Sequence, residues 1–182
     1  MQEERDLVKR AQQHDGEAFG QLYDKYFNKI YRYVAFKVGN KAEAEDMAQQ
    51  VFLSALENIS SFKWRNIPFS AWLFRIAHNK VVDHLRKKSR RATVPLEGIQ
   101  VVSASDPQQT TELRLDIEWL KSATGELTAA QQEVITLRFA GNLPIAQVAE
   151  IMDKSPGAIK ALQHSAIVAL RKARLGGENG KL

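Results

Sequence analysis

The chain has no cysteine among its 182 residues. Disulfides and thiolate metal sites are therefore excluded, and a reducing compartment is the natural setting. No run of about eighteen apolar residues is present, and Met1-Gln2-Glu3-Glu4 does not open a signal peptide. The expectation is a cytoplasmic protein with no membrane insertion. His14, His78, His84 and His164 show no metal-ligand spacing; His78 and His84, six residues apart, point in different directions on one helix. There is no glycine-rich phosphate loop, dinucleotide fingerprint or nucleophile elbow. Glu43, Glu45 and Asp46 have no converging histidine or glycine loop, so they read as a solvated helix face. These absences predict a protein that is not an enzyme and needs no cofactor or metal.

Charge is present and unevenly placed. The net charge is +5. Residues 1–91 carry +6, residues 92–118 carry −4 and residues 119–182 carry +3. Two basic blocks flank an acidic connector, which suits two nucleic-acid-facing modules.

Apolar residues recur at helical spacing through most of the first block. Residues 5–14 predict a short helix and Asp15 the N-cap of a longer one. Phe19, Leu22, Tyr23, Tyr26, Phe27, Ile30, Tyr31 and Val34 then form a stripe at three- and four-residue steps, read as core rather than as a base-stacking platform. Gly39-Asn40 breaks the chain. The next helix turns Ala44, Met47, Ala48, Val51, Phe52 and Ala55 inward, while Asp46, Gln49, Gln50, Leu53 and Glu57 cluster opposite. A leucine in that polar, acidic stripe suggests docking on a basic partner helix.

After Ile59-Ser60-Ser61 comes Phe62-Lys63-Trp64-Arg65-Asn66. Rings interleaved with cations suit unpaired nucleic acid, because bases stack on rings while cations neutralise phosphates. Ile67-Pro68 opens a long helix that is apolar over most of its circumference (Phe69, Trp72, Leu73, Phe74, Ile76, Ala77, Val81, Leu85), the pattern of a helix central to a bundle. Arg75, Asn79 and Arg86 share one narrow side with Asp83 beside them, and Asp83 stands four residues before Lys87 as a possible supporting pair. The helix ends in Arg86-Lys87-Lys88-Ser89-Arg90-Arg91, a basic end that favours nucleic acid.

Periodicity fails from Ala92 to about Thr111, where Pro95, Gly98 and Pro107 mark a linker whose Glu97 and Asp106 make it unsuited to lie on DNA. Thr128-Ala129-Ala130-Gln131 fits a capping box. Val134, Ile135, Leu137 and Phe139 follow as an apolar face ended by Gly141-Asn142. Pro144 opens a short helix with Ile145, Val148, Ala149 and Met152 inward. Ser155 then caps another helix, with Pro156 in first position and Ile159, Leu162, Ala166, Ala169 and Leu170 inward. Two short helices around a tight turn make a helix-turn-helix, whose second helix enters the major groove by its N-terminal part. Ser155, Pro156, Gly157, Lys160, Ala161 and His164 are its groove-side candidates, with Gln163 at the edge and Arg171 and Lys172 toward the backbone.

Three segments in this order carry a resemblance. They are Ala44-Glu45-Asp46-Met47-Ala48-Gln49-Gln50-Val51-Phe52, then Phe69-Ser70-Ala71-Trp72-Leu73-Phe74-Arg75-Ile76-Ala77-His78-Asn79 with Asp83 and Arg86, then the helix-turn-helix. Over about residues 5–175 the chain resembles a bacterial extracytoplasmic-function (ECF) sigma factor, the small two-domain class of the sigma-seventy family. The resemblance implies an all-α fold of two small helical domains, an N-terminal helix bundle and a C-terminal helix-turn-helix bundle, joined by a flexible acidic linker. Residues 1–91 would be sigma region 2, 92–118 the linker, 119–175 sigma region 4, and 176–182 a disordered tail. Asp46, Gln49, Gln50 and Leu53 would dock on the clamp helices of core RNA polymerase. Phe62, Lys63, Trp64, Arg65, Asn66, Asn79, Asp83, Arg86 and Lys87 would capture the melted non-template strand of the minus-ten element. The helix-turn-helix would read the minus-thirty-five element as duplex DNA and meet the polymerase flap. An anti-sigma factor is an implied partner, and catalysis would belong to the polymerase.

Three departures bear on promoter sequence rather than on family. Gln50 stands where an acidic residue is frequent, Leu162-Gln163-His164-Ser165 replaces a run commonly richer in arginine, and Lys154 takes a turn position usually apolar. The rival readings are a helix-turn-helix regulator with an N-terminal sensing or dimerising domain, and a helical adaptor. The first gives no reason for the Glu43–Arg91 stretch, and Lys160, His164 and Arg171 on one face argue against the second.

Overall fold

The structure is a computed structural model that describes residues 2–64, 67–92 and 127–178, with side chains described as far as Arg90 in the second stretch and Lys172 in the third. The regular structure of the described residues is entirely helical. The chain divides into two compact units, Met1–Ala104 and Ser105–Leu182.

In the first unit α1 (Gln2–Gln12), α2 (Gly16–Val38), α3 (Lys41–Asn58), a 3-10 turn (Ile59–Ser61) and α4 (Phe69–Ala92) pack into one bundle. The boundaries follow from side chains three residues away. Asp15 accepts from the Ala18 N–H at 3.1 Å and Asn40 from the Glu43 N–H at 3.0 Å, each satisfying a donor that a helix start leaves open. Gly39, at φ 81°, closes α2 by giving its N–H to the Ala35 carbonyl. That left-handed backbone is one glycine adopts without steric cost.

The core is built mainly from the stripes that periodicity marks out, joined by the fully buried Tyr33, which lies outside them. Leu22, Ile30, Tyr33 and Val34 of α2, Ala48 and Val51 of α3, and Phe69, Leu73 and Phe74 of α4 are buried. Tyr23 and Phe27 stack at 4.9 Å between centroids, and both lie against Phe52 of α3. The α2 rings therefore serve packing. Tyr26 sits deeper: burial first, then the neighbouring Glu4 carboxylate, pushes its phenol well above the ordinary range. On α4 the wide apolar circumference is only partly covered. Val82 is 46% and Leu85 39% exposed, so Leu85 is not among the buried residues.

The second unit comprises α5 (Ala129–Ile135), a π-helical turn (Thr136–Ala140), α6 (Ile145–Met152) and α7 (Pro156–Glu178). Thr128 and Gln131 form the reciprocal capping box. The π turn is an unexpected element. The Gly141 N–H reaches back five residues to the Thr136 carbonyl at 3.0 Å, which widens the turn and rotates later side chains off a 3.6-residue projection. Phe139, about 160° around the helix from Leu137 at about 100° per residue, stands 57% exposed instead of joining Val134, Ile135 and Leu137 in the core. Gly141 has ordinary helical φ (−78°), and the positive φ falls on Asn142 at 51°. Asp153 takes the left-handed conformation between α6 and α7, and its N–H bonds the Ala149 carbonyl. The last helix runs on to Glu178 rather than stopping before Gly176. Extending a formed helix adds one backbone bond per residue, enough to carry it through two glycines that cost about 1 kcal/mol each. The linker expected at 92–118 and residues 179–182 lie outside the described residues, Ala92 excepted.

Candidate nucleic-acid interface

On α3 the inward side chains are buried, while Asp46, Gln49, Gln50 and Leu53 are all exposed. The Gln50 amide donates to the Asp46 carboxylate at 2.6 Å, which orients the acid across one turn. Leu53 is 57% exposed, and Leu56 beside it is 49% exposed. Leu56 extends the apolar part of the stripe. The helical projection that sets Leu53 beside Gln49 places Leu56 there too.

Near the start of α3, Glu43 is approached from α4 by His84 Nε2 at 3.4 Å and Lys88 Nζ at 3.7 Å. This cluster ties the first turn of α3 to the basic end of α4. Only the tertiary packing brings these residues together.

The loop after the 3-10 turn departs most from expectation. Phe62 is 5% exposed, with its ring edge-on to Trp64 at 5.3 Å and Phe69 at 5.7 Å and tilted against Trp72 at 5.1 Å. A ring enclosed on these sides presents no face to a base, so Phe62 belongs to the support of the loop. Its apolar surface has three aromatic partners within reach, and burial outweighs exposure. Trp64 is half-buried, and among the described residues its indole N–H has no acceptor. Lys63 is exposed; Arg65 and Asn66 lie outside the described residues.

Along α4, Arg75, Asn79, Asp83 and Arg86 follow at steps of four, four and three, so they share one face. All four are exposed, as are Lys87 and Lys88. Asp83 pairs with Arg86 at 3.1 Å rather than with Lys87. Both side chains are mostly solvated, so the pair adds little stability. From Trp72 to Arg86 the helix rises about 21 Å, a length over which an extended strand would meet several cations.

In the second unit Ser155 Oγ accepts from the Ala158 N–H at 3.2 Å, with Pro156 in the first helical position. Gly157, Lys160, Ala161, His164, Arg171 and Lys172 are exposed, while Ile159 and Ala166 are fully buried. Gln163 is committed inward by its carbonyl, which accepts from Arg138 Nε at 3.0 Å. The Arg138 guanidinium also bonds the Leu143 carbonyl. Arg138 thereby joins the π turn, the loop before α6, and α7. This orienting residue carries no sequence signal beyond its charge. Gln131 Nε2 adds a bond to Ser165 Oγ at 3.0 Å.

Comparison with known proteins matches residues 22–91 to sigma-70 region 2 and residues 124–172 to sigma-70 region 4. The chain is 39% identical over 171 residues to the ECF RNA polymerase sigma factor BldN of Streptomyces coelicolor, covering 92% of this chain and 64% of that protein. It is 31% identical over 175 residues to the ECF RNA polymerase sigma factor SigW of Bacillus subtilis, covering 91% and 93%. The chain belongs to the ECF sigma factors. Its fold is shared with CnrH, solved in complex with the cytosolic domain of CnrY, at a TM-score of 0.73, 24% identity and coverage of 96% and 98%. The sigma factor spans just under two thirds of BldN and nearly all of SigW. Region 2 occupies the place where the regulator reading needs a sensing or dimerising domain, so that rival is set aside. Among the described residues no group of His, Cys, Asp or Glu is arranged to hold a metal, and no helix is long and apolar enough to cross a membrane.

Proposed function

We propose that this sigma factor binds core RNA polymerase in the cytoplasm and directs initiation at specific promoters, with residues 1–91 acting as region 2 and 119–175 as region 4. The stripe of Asp46, Gln49, Gln50 and Leu53, extended by Leu56, docks on the clamp helices. Trp64, Lys63, Arg65 and Asn66 of the loop, with Asn79, Asp83, Arg86 and Lys87 of α4, capture the non-template strand of the minus-ten element as it leaves the duplex. The edge of α7 from Ser155 to His164 lies in the major groove of the minus-thirty-five element. Arg171 and Lys172 lie toward phosphates, where contacts position the protein without reading sequence. The acidic segment 92–118 follows the basic channel of the core enzyme, the second unit meets the flap, and an anti-sigma factor is a further partner. Nucleotide addition belongs to the polymerase, and the sigma factor itself carries out no catalysis.

One observation supports this division of labour above the others. In a single small bundle, α3 exposes leucines among acids and amides while α4 exposes a cationic row. Leucines exposed on a charged surface suit a protein partner, and a cationic row suits phosphates. Run-off transcription tests the proposal, using purified core polymerase with and without the chain on a library of upstream regions. Defined start sites that appear only when the chain is added are expected. Tight duplex binding by the chain alone, with no defined start in the presence of core, refutes it.

A further inference from the structure

We propose that α1 is the clamp that holds the strand-capturing loop, and that Gln12 is a positioning residue for minus-ten recognition. This rests on the promoter-opening reading above and adds to it, because α1 precedes the residues matched to region 2, which begin at Leu22. The Gln12 amide nitrogen donates to two main-chain carbonyls, Ile59 at 3.0 Å and Phe62 at 2.8 Å. A primary amide has two N–H donors, and both are used here. Since both partners are acceptors, the nitrogen must be the atom that faces them. These carbonyls bracket the 3-10 turn from which the loop departs, and the Phe62 N–H itself closes on Ile59 at 3.1 Å. One side chain of α1 therefore fixes where the loop begins.

A second contact from the same helix reaches further into the loop. The Arg5 guanidinium carbon lies 5.3 Å from the centre of the Trp64 ring. Trp64 is thus held between the Phe62 ring and a cation of α1, with its indole N–H unpaired among the described residues. Arg5 and Gln12 stand seven residues apart, two helical turns, so both project from the same side of α1. The aromatic cluster of Phe62, Phe69 and Trp72 supplies the floor, and α1 supplies the clasp. A loop set in place before the strand arrives binds it without first having to be ordered.

The size of the effect follows from population arithmetic. A net contribution of about 1 kcal/mol per hydrogen bond is roughly fivefold in population, and apparent affinity falls with the fraction of loops in the competent form. Losing both bonds lowers strand capture on the order of ten- to thirtyfold, while docking through α3 is untouched. Losing the exposed cation–π contact at Arg5 lowers it about two- to fivefold.

The test uses the full chain bound to core polymerase and a promoter recovered by run-off transcription. Gln12→Met and Gln12→Glu keep the shape and remove the paired donors; Arg5→Met, at an exposed position, keeps the stem and the fold. Three quantities are read: core affinity, affinity for fork-junction DNA with an unpaired non-template strand, and permanganate reactivity of thymines in the opened duplex. Both Gln12 variants are expected to keep wild-type core affinity at a temperature where they are fully folded, and to lose fork binding and thymine reactivity by the stated factors. Wild-type fork binding in Gln12→Met and Arg5→Met overturns the proposal, as does a loss of core affinity equal to the loss of fork binding, which marks a merely structural residue. If the wild-type chain itself yields no defined start, the sigma reading has failed, and that outcome is separate from the other two.

Discussion

Replacing Leu53 and Leu56 together by alanine isolates the apolar part of the proposed docking face. Burying a whole leucine side chain is worth about 1.5–3 kcal/mol. Leu53 is 57% and Leu56 49% exposed in the free chain, so roughly half of that, about 1 kcal/mol each, remains to be gained on docking. Alanine keeps the first carbon and has the higher helix propensity, so α3 itself is not weakened. The double variant should bind core polymerase about thirtyfold more weakly, the equivalent of about 2 kcal/mol. Its unfolding midpoint should stay near wild type, as expected for exposed positions. Met47, 7% exposed on the inner face of the same helix, is the control. Met47→Ala should cost about 2–5 kcal/mol of stability through the cavity it leaves. Titration of labelled core with each folded variant, beside a denaturant melt, separates the two cases. Unchanged core affinity in the Leu53→Ala, Leu56→Ala double variant would refute the docking assignment.

Other outcomes follow from the caps and the recognition helix. Gly157 has no positive φ, and an added Cβ meets nothing nearer than Ser155 Oγ at 3.9 Å. Gly157→Ala should therefore stabilise the chain by about 0.5–1 kcal/mol, yet weaken binding to a minus-thirty-five duplex if the backbone approaches DNA there; a melt and a duplex titration together check both. Lys160→Ala should weaken duplex binding at every sequence tested and reduce the slope of log affinity against log salt by about one if Lys160 meets a phosphate, whereas a sequence-dependent loss would place it at a base. The backbone N–H of Ala18, then the Arg10 guanidinium, hold the Asp15 carboxyl below its ordinary 3.8. Its contribution is thus fully present above 3.8 and fades as pH falls through the lower folded value. The stability difference between wild type and Asp15→Asn, which keeps an N-cap acceptor but cannot ionise, should accordingly shrink over that acid range in denaturant melts.

Sequence alone determined what depends on neighbours along the chain. The caps at Asp15, Thr128 and Ser155 each bond a backbone N–H three residues on, a separation visible in the sequence. Helical periodicity identified the inner faces of α2, α3 and α7, because one buried stripe per helix is what a small bundle requires. The exposed stripe of Asp46, Gln49, Gln50 and Leu53 followed from the same projection, as did the outward placement of Lys160 and His164. The order of the motifs was enough to suggest the family that comparison then established.

Tertiary structure decided what depends on residues far apart or on a local change of pitch. Phe62 looks like a stacking ring beside Lys63 and Trp64, and it is buried because Phe69 and Trp72 close over it. Phe139 follows Val134, Ile135 and Leu137 in sequence, yet it stands exposed on the π turn closed by the five-residue bond from Gly141 to Thr136. Gln12 reaches across 47 and 50 positions to Ile59 and Phe62, and Arg138 across 25 to Gln163. A polar side chain carries no mark of such a partner in the sequence, since any of several distant carbonyls would satisfy it equally. Which of them it meets is chosen by how the apolar faces pack, and that packing is what places α1 against the loop.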